Sequence, residues 1–213
     1  GVMNKALTAN NTANPILTAT LPTSIDTAFR VNGNLLNTGI AQQLRQVARL
    51  IDRSFETGVK RQFFFVGMGG YDTHVNTVTN QTALFNQLFP AMKAFYDWTV
   101  AAGVSNDVVQ ITMSDFNRTF IGNANQGVDH AWGGHQIVVG GGVKGGQMYG
   151  TFPDLIKGGT MDSGNNGAWI PGIAVDRNSS GATARIALTY YFYPTANCSQ
   201  STCQLSVGFV SSS

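Results

Sequence analysis

Arg61-Gln62-Phe63-Phe64-Phe65-Val66-Gly67-Met68 is a short, continuous apolar run that stops at Gly69-Gly70. A run of this length without polar alternation predicts a strand covered on both faces, as in a parallel sheet. A second run, Asp107 to Met113, ends at Ser114-Asp115. Helical spacing precedes and separates the two. Ile40, Leu44, Val47, Ile51 and Phe55 recur on one helical face with Arg45, Arg49 and Arg53 opposite, and Leu84, Leu88, Met92, Phe95 and Val100 anchor a helix over 82–102. Pro90 is expected to kink or divide that second helix. The order helix, strand, helix, strand predicts an α/β fold, a mostly parallel sheet flanked by helices. Ligands of such sheets gather beyond the carboxyl ends of the strands. Asp72, His74 and Asp115, just past two such ends, are therefore expected on one edge of one sheet.

Three segments follow from this centre. Residues 1–38, rich in Asn, Thr, Ala and Leu, read as an irregular N-terminal arm; residues 39–176 form the α/β domain carrying the Asp and His motifs; residues 177–213 read as a C-terminal β-hairpin. Ile186 to Tyr193 and Gln204 to Val210 are its strands, and Cys198 and Cys203 fall between them. A disulfide across the hairpin end, in an oxidising compartment, is the expectation, with reduced thiols as the alternative. Gln136 to Val139 reads as a third strand, followed by the glycine cluster Gly140-Gly141-Gly142 with Gly145-Gly146. Lys144 is followed by Gly145 rather than Ser or Thr, so a close turn is expected there and not a phosphate loop. No Gly-x-Ser-x-Gly elbow offers a nucleophilic serine.

Composition narrows the function classes. With 213 residues and 43% hydrophobic residues the chain has enough apolar surface for a core. Only 11% of residues are charged and the net charge is +2, which excludes a nucleic-acid reading. No apolar run reaches the length of a transmembrane helix. The chain opens at Gly1 without an initiator Met, which predicts a processed product or part of a longer chain.

All 3 histidines lie in two glycine-rich motifs, Gly69-Gly70-Tyr71-Asp72-Thr73-His74 and Asp129-His130-Ala131-Trp132-Gly133-Gly134-His135. Imidazole and carboxylate together are the donor set of zinc or a similar divalent ion. Asp72 and His74, two residues apart on a strand-end loop, can face one ion; a turn aspartate beside a surface histidine is the plain alternative. Asp129 and His130 serve neighbouring ions, or Asp129 orients His130 from behind, or the two simply brace a glycine-rich loop. Asp115 and Arg118 read as a ligand or base and an anion clamp, because a guanidinium fork matches phosphate or sulfate. The rival reading is an internal salt bridge that holds the loop.

Taken together these motifs resemble a bacterial family, the domain of unknown function 1501 proteins. The resemblance runs from about Ile40 to Asp176. It rests on Gln43-Leu44-Arg45-Gln46-Val47-Ala48-Arg49-Leu50-Ile51, the two His motifs, Ser114-Asp115-Phe116-Asn117-Arg118-Thr119, Val138 to Gly146, Tyr149 to Pro153 and Ile170-Pro171. That family is similar to the alkaline phosphatase and sulfatase superfamily. The resemblance implies a partial alkaline phosphatase-like sandwich and export in folded form, hence a secreted or periplasmic location. It also implies a divalent metal centre, zinc first with manganese or calcium as alternatives. Asp72 and His74 would serve one ion and Asp129 with His130 the other, His135 completing the set. The implied function is a metal-dependent hydrolase acting on small phosphate or sulfate esters. The alternative is a non-catalytic extracellular structural or surface-assembly protein on the same fold, as a homo-oligomer or lacking the N-terminal portion of a longer chain.

Overall fold

The computed structural model describes residues 2–59, 61–130, 134–150, 156–157, 172–175, 186–192 and 206–211. The chain divides into two compact units, Gly1–Gly70 with Thr82–Val108, and Tyr71–Gln81 with Val109–Ser213.

The first unit is built from helices. α1 (Val2–Thr18) and α2 (Thr23–Ala28) precede a two-residue ribbon, β1 (Arg30–Val31) against β2 (Asn34–Leu35). α3 (Gly39–Asp52), the short α4 (Ser54–Thr57) and α5 (Thr77–Ala101) complete it, the last contributing all but its first five residues to this unit. The periodicity of α3 does what the sequence predicts: Ile40, Ala41, Leu44, Val47 and Ala48 are buried. They meet Ile25 and Phe29 from the α2 region and Ala91, Ala94, Phe95 and Trp98 of α5 in one apolar cluster. α5 begins five residues before the expected start and runs through Pro90 undivided. Proline there removes one backbone donor, but burial of Ala91, Met92, Ala94 and Phe95 holds the following turn in place.

Two local expectations give way to the structure. Residues 2–18, expected to be irregular, form a helix. Asn and Thr are poor helix formers, yet the hydroxyls of Thr8, Thr12 and Thr18 donate to the carbonyls of Asn4, Thr8 and Asn14, one turn back, without leaving the helix. Its end is held from outside: Arg49 Nη1 donates to the carbonyls of Ile16 and Ala19, where helical carbonyls lack an internal partner. Arg45 likewise donates to the Leu36 carbonyl, so the arginine face of α3 stitches neighbouring segments.

The apolar run of residues 61–68 is extended and is not part of any strand pairing among the described residues. The side-chain amide of Gln43 takes the place of a neighbouring strand at Gly67, donating to its carbonyl at 2.8 Å and accepting from its N–H at 2.9 Å. Side chains of an extended chain alternate faces. Val66 and Met68 pack on the apolar cluster, while Phe63 and Phe65 are 77% and 92% exposed. Only one face of this run is covered, not two. It ends at Gly70, whose φ of +96° favours glycine and where an added Cβ would press on Leu84.

In the second unit, β3 (Val109–Ile111) pairs antiparallel with β4 (Val138–Gly140), Val109 opposite Gly140 and Ile111 opposite Val138. β5 (Gly172–Val175), β6 (Ile186–Phe192) and β7 (Ser206–Ser211) form an antiparallel three-stranded sheet in that order. Every strand pairing among the described residues is antiparallel, where the sequence predicted a mostly parallel sheet. Cys198, Cys203 and the disulfide expected between them lie outside the described residues.

Candidate metal centre

The second unit carries the histidine motifs. After Gly70 the chain makes a tight turn in which the Thr73 N–H donates to the Tyr71 carbonyl at 2.9 Å. Thr73 itself is buried, its hydroxyl accepting from Gln81 and its carbonyl receiving Thr77 Oγ1 and the Val128 N–H. Pinning Thr73 inward leaves its neighbours Asp72 and His74 facing solvent, two residues apart.

The partner segment is fixed by backbone pairing. Arg118 and His130 form an antiparallel bridge. The Thr119 N–H donates to the Asp129 carbonyl at 2.8 Å, and the Asp129 N–H to Thr119 Oγ1 at 3.1 Å. Between them Asn123 and Gly127 close a turn, the Asn123 N–H donating to the Gly127 carbonyl. The carbonyls of Asn125 and Gln126 accept the N–H groups of Asn76 and Thr77 at the start of α5, donors that a helix cannot satisfy internally. Gly127 lies flat against the backbone of His74, where a Cβ would overlap the His74 carbonyl. That close approach brings together two motifs more than fifty residues apart in sequence.

The side chains pair across the two motifs as well as within the first. His74 Nδ1 meets Asp129 Oδ1 at 2.8 Å, and His74 Nε2 meets Asp72 Oδ1 at 2.8 Å. His130 Nε2 reaches the same Asp72 Oδ1 at 2.8 Å. Asp72, His74 and His130, all exposed, offer ligand atoms within 4.8 Å of one another. The His74 and His130 rings lie 5.0 Å apart, and Phe116 stacks on His130 with centroids 3.9 Å apart. The His130 hydrogen bond, assisted by the charges of His74, His130 and Arg118, holds the Asp72 carboxyl below its ordinary value. Hydrogen bonds from His74 and then Asn123 do the same for Asp129. Both carboxylates are thus ionised at neutral pH, as ligands or partners of ligands must be.

Arg118 is committed elsewhere than to an anion. Nη1 donates to the Val128 carbonyl, Nη2 to the Tyr71 carbonyl with Asp72 Oδ1 at 3.3 Å, and the guanidinium lies over the Phe116 ring. With 16% of its side chain exposed, it ties the Tyr71–Asp72 turn to the segment around Val128. Asp115 is exposed and is not among the clustered ligand atoms, and neither is His135. Trp132 lies outside the described residues. Sequence reasoning thus placed Asp72, His74, Asp129, His130 and Arg118 in one site, but grouped Asp129 with the wrong histidine. It missed Asn123 altogether. The cue was its place in Asn123-Ala124-Asn125-Gln126-Gly127, a turn-forming stretch just before Asp129.

The donor set suits a divalent ion. N and O ligands about 2.0–2.1 Å from a tetrahedral zinc stand roughly 3.3 Å from one another. The 2.8 Å separations of His74 and His130 Nε2 from Asp72 Oδ1 need to open by only about half an ångström to reach that spacing. An ion held by these three exposed groups would keep a further position open to solvent.

The profile of a family described as a protein of unknown function, DUF1501, matches residues 21–162, more than half of the chain and all of the residues just described. Comparison with curated proteins and with solved structures returned no match.

Proposed function

The chain belongs to the DUF1501 family, and from that premise we propose that it is an exported, metal-dependent hydrolase-like protein acting on small phosphate or sulfate esters. The observation that carries this reading is the convergence of His74 Nε2 and His130 Nε2 on Asp72 Oδ1. These three residues would hold one divalent ion, zinc in the first instance. When bound, such an ion polarises an ester oxygen and makes water a better nucleophile at neutral pH. The chain's own groups do the rest. Asp129 accepts the Nδ1 proton of His74 and so turns Nε2 toward the ion. Phe116 backs the His130 ring and limits its rotation. Arg118 Nη2 reaches the same Asp72 Oδ1 at 3.3 Å while the guanidinium also serves two loop carbonyls, so it would steady this carboxylate and leave the substrate's anionic oxygens to a bound ion. This reading differs from an alkaline phosphatase-like arrangement with two ions: among the described residues one three-ligand set comes together, with Asp129 bonded to His74 behind it.

A non-catalytic extracellular structural or surface-assembly role on the same fold is the second reading. It is favoured by the commitment of Arg118 to loop carbonyls and by the position of Asp115 outside the cluster.

The test is the metal content of protein purified without chelator, followed by turnover of p-nitrophenyl phosphate and p-nitrophenyl sulfate. Near-stoichiometric zinc, manganese or calcium that disappears in His74→Ala and His130→Ala, with turnover lost in the same variants, supports the hydrolase reading. Bound metal without turnover of either ester favours the structural reading. A folded protein that neither retains nor takes up metal overturns the metal centre.

A further inference from the structure

We propose that Asn123 is a positioning residue of this centre: its amide aims the Asp129 carboxylate at His74 Nδ1 and thereby sets the metal-facing nitrogen of His74. The inference rests on the metal-site reading above and adds a residue that no motif singled out. All four hydrogen-bonding positions of the amide are in use. Nδ2 donates to Asp129 Oδ1 at 3.1 Å and to the His74 carbonyl at 3.0 Å. Oδ1 accepts from the N–H groups of Asn125 at 2.9 Å and Gly127 at 3.0 Å. One planar group therefore touches the histidine's backbone, the carboxylate that orients its ring, and the turn that lays Gly127 against that backbone.

The chemistry makes the geometry specific. Asp129 Oδ1 accepts from both His74 Nδ1 and Asn123 Nδ2. The second donor removes the freedom of the carboxylate to swing away, and a carboxylate so fixed holds the imidazole with Nδ1 protonated and Nε2 outward. Nothing but an amide supplies this pair of donors and this pair of acceptors at one β-carbon distance. Aspartate keeps the acceptors of the turn and loses both donors. Alanine loses everything.

The experiment measures zinc affinity by competition with a chromophoric chelator, for the wild type, Asn123→Ala, Asn123→Asp, Asp129→Ala and the double variant Asn123→Ala/Asp129→Ala. Circular dichroism and the Tm of the metal-free proteins check the fold. Loss of an outer partner typically weakens a metal site about ten- to a hundredfold, and that loss is expected in both Asn123 variants. In the Asp129→Ala background Asn123→Ala should change affinity by no more than about twofold, because the carboxylate it positions is gone. An equal loss in both backgrounds overturns the positioning role, since the effect would then pass through the turn alone. Asn123→Asp keeps the turn's acceptor and brings in a negative charge that favours cations. Wild-type or tighter zinc binding by that variant overturns the inference while leaving the metal site standing. A wild-type protein that takes up no zinc overturns the metal site and this inference with it.

Discussion

At the residue scale the site depends on contacts that leave no room for adjustment. Gly127 is the clearest case. A β-carbon there overlaps the carbonyl of His74, whereas one on the neighbouring Gly122 finds its nearest atom, the Gly127 carbonyl oxygen, at 3.4 Å. Gly127→Ala is therefore expected to destabilise the protein by about 1–3 kcal/mol, the usual range for a forced backbone shift, and to weaken zinc uptake. Gly122→Ala should do neither, as thermal melts with and without zinc would show. Asp26 illustrates a different residue-scale effect. Its hydrogen bonds from Arg30, then the charges of Arg30 and Arg45, hold its pKa below the ordinary value despite the opposing effect of burial. A carboxylate lowered in the folded state adds stability above its unfolded pKa and loses it as pH falls through the folded one. Asp26→Asn should thus lower Tm slightly at neutral pH, slightly because the pair is exposed, and the gap from wild type should close in strong acid. A gap that persists in acid would mean the aspartate acts through something other than its charge. These residues also show what can be read in advance. Asp72, His74 and His130 carry chemistry that their residue types announce. Gly127 acts through backbone geometry and Asn123 through an amide whose partners only the folded turn supplies, and neither is announced by residue type.

At the element scale the run of residues 61–68 shows where reading by periodicity stops. Its apolarity is real and its conformation is extended, but the sequence does not say whether a second face is covered. The structure covers one face with the α2, α3 and α5 cluster and leaves Phe63 and Phe65 out. Phe65→Ser is expected to change stability by less than about 0.5 kcal/mol, as for other exposed sites. Trp98→Ala, at a residue with 0% exposure, should cost about 3–5 kcal/mol. Denaturant titration separates the two, and a large loss in Phe65→Ser would restore the two-sided strand. The helices were more legible than the strands for a physical reason. The repeat of α3 reports burial against any apolar neighbour, whereas strand direction depends on pairing between distant segments. Ile111 opposite Val138 is such a pairing, and neither segment's composition states its partner or its polarity. α1 was illegible because it is rich in Asn and Thr, lacks a long apolar stripe, and has its end held from outside by Arg49.

At the scale of the whole molecule, a bound ion would act as a cross-link between two loops distant in sequence. Asp72 and His74 follow Gly70, while His130 is fixed by its bridge to Arg118. Without an ion the two sides are already joined by backbone bonds such as that from the Val128 N–H to the Thr73 carbonyl and by Arg118, while the exposed contacts among Asp72, His74 and His130 add little in water. An ion that binds the folded state alone stabilises it by mass action, about 2.7 kcal/mol when its concentration is a hundred times Kd. For a chain of this length that corresponds to a rise in Tm of roughly 5–10 °C. The rise should vanish with EDTA and in His130→Ala, which removes one of three ligands. Hydrogen exchange locates the effect. Amides of residues 71–77 and 118–130 should gain protection on adding zinc, because the Thr73, Thr119, Asn123 and Val128 N–H bonds that shape the two loops are the ones the ion would hold closed. Local opening of α3, and of α5 beyond Gln81 where its bonds no longer reach these loops, should keep its metal-free rate under conditions where the protein as a whole stays folded. Zinc that raises Tm without selective protection of the two loops would be binding somewhere other than between Asp72 and His130.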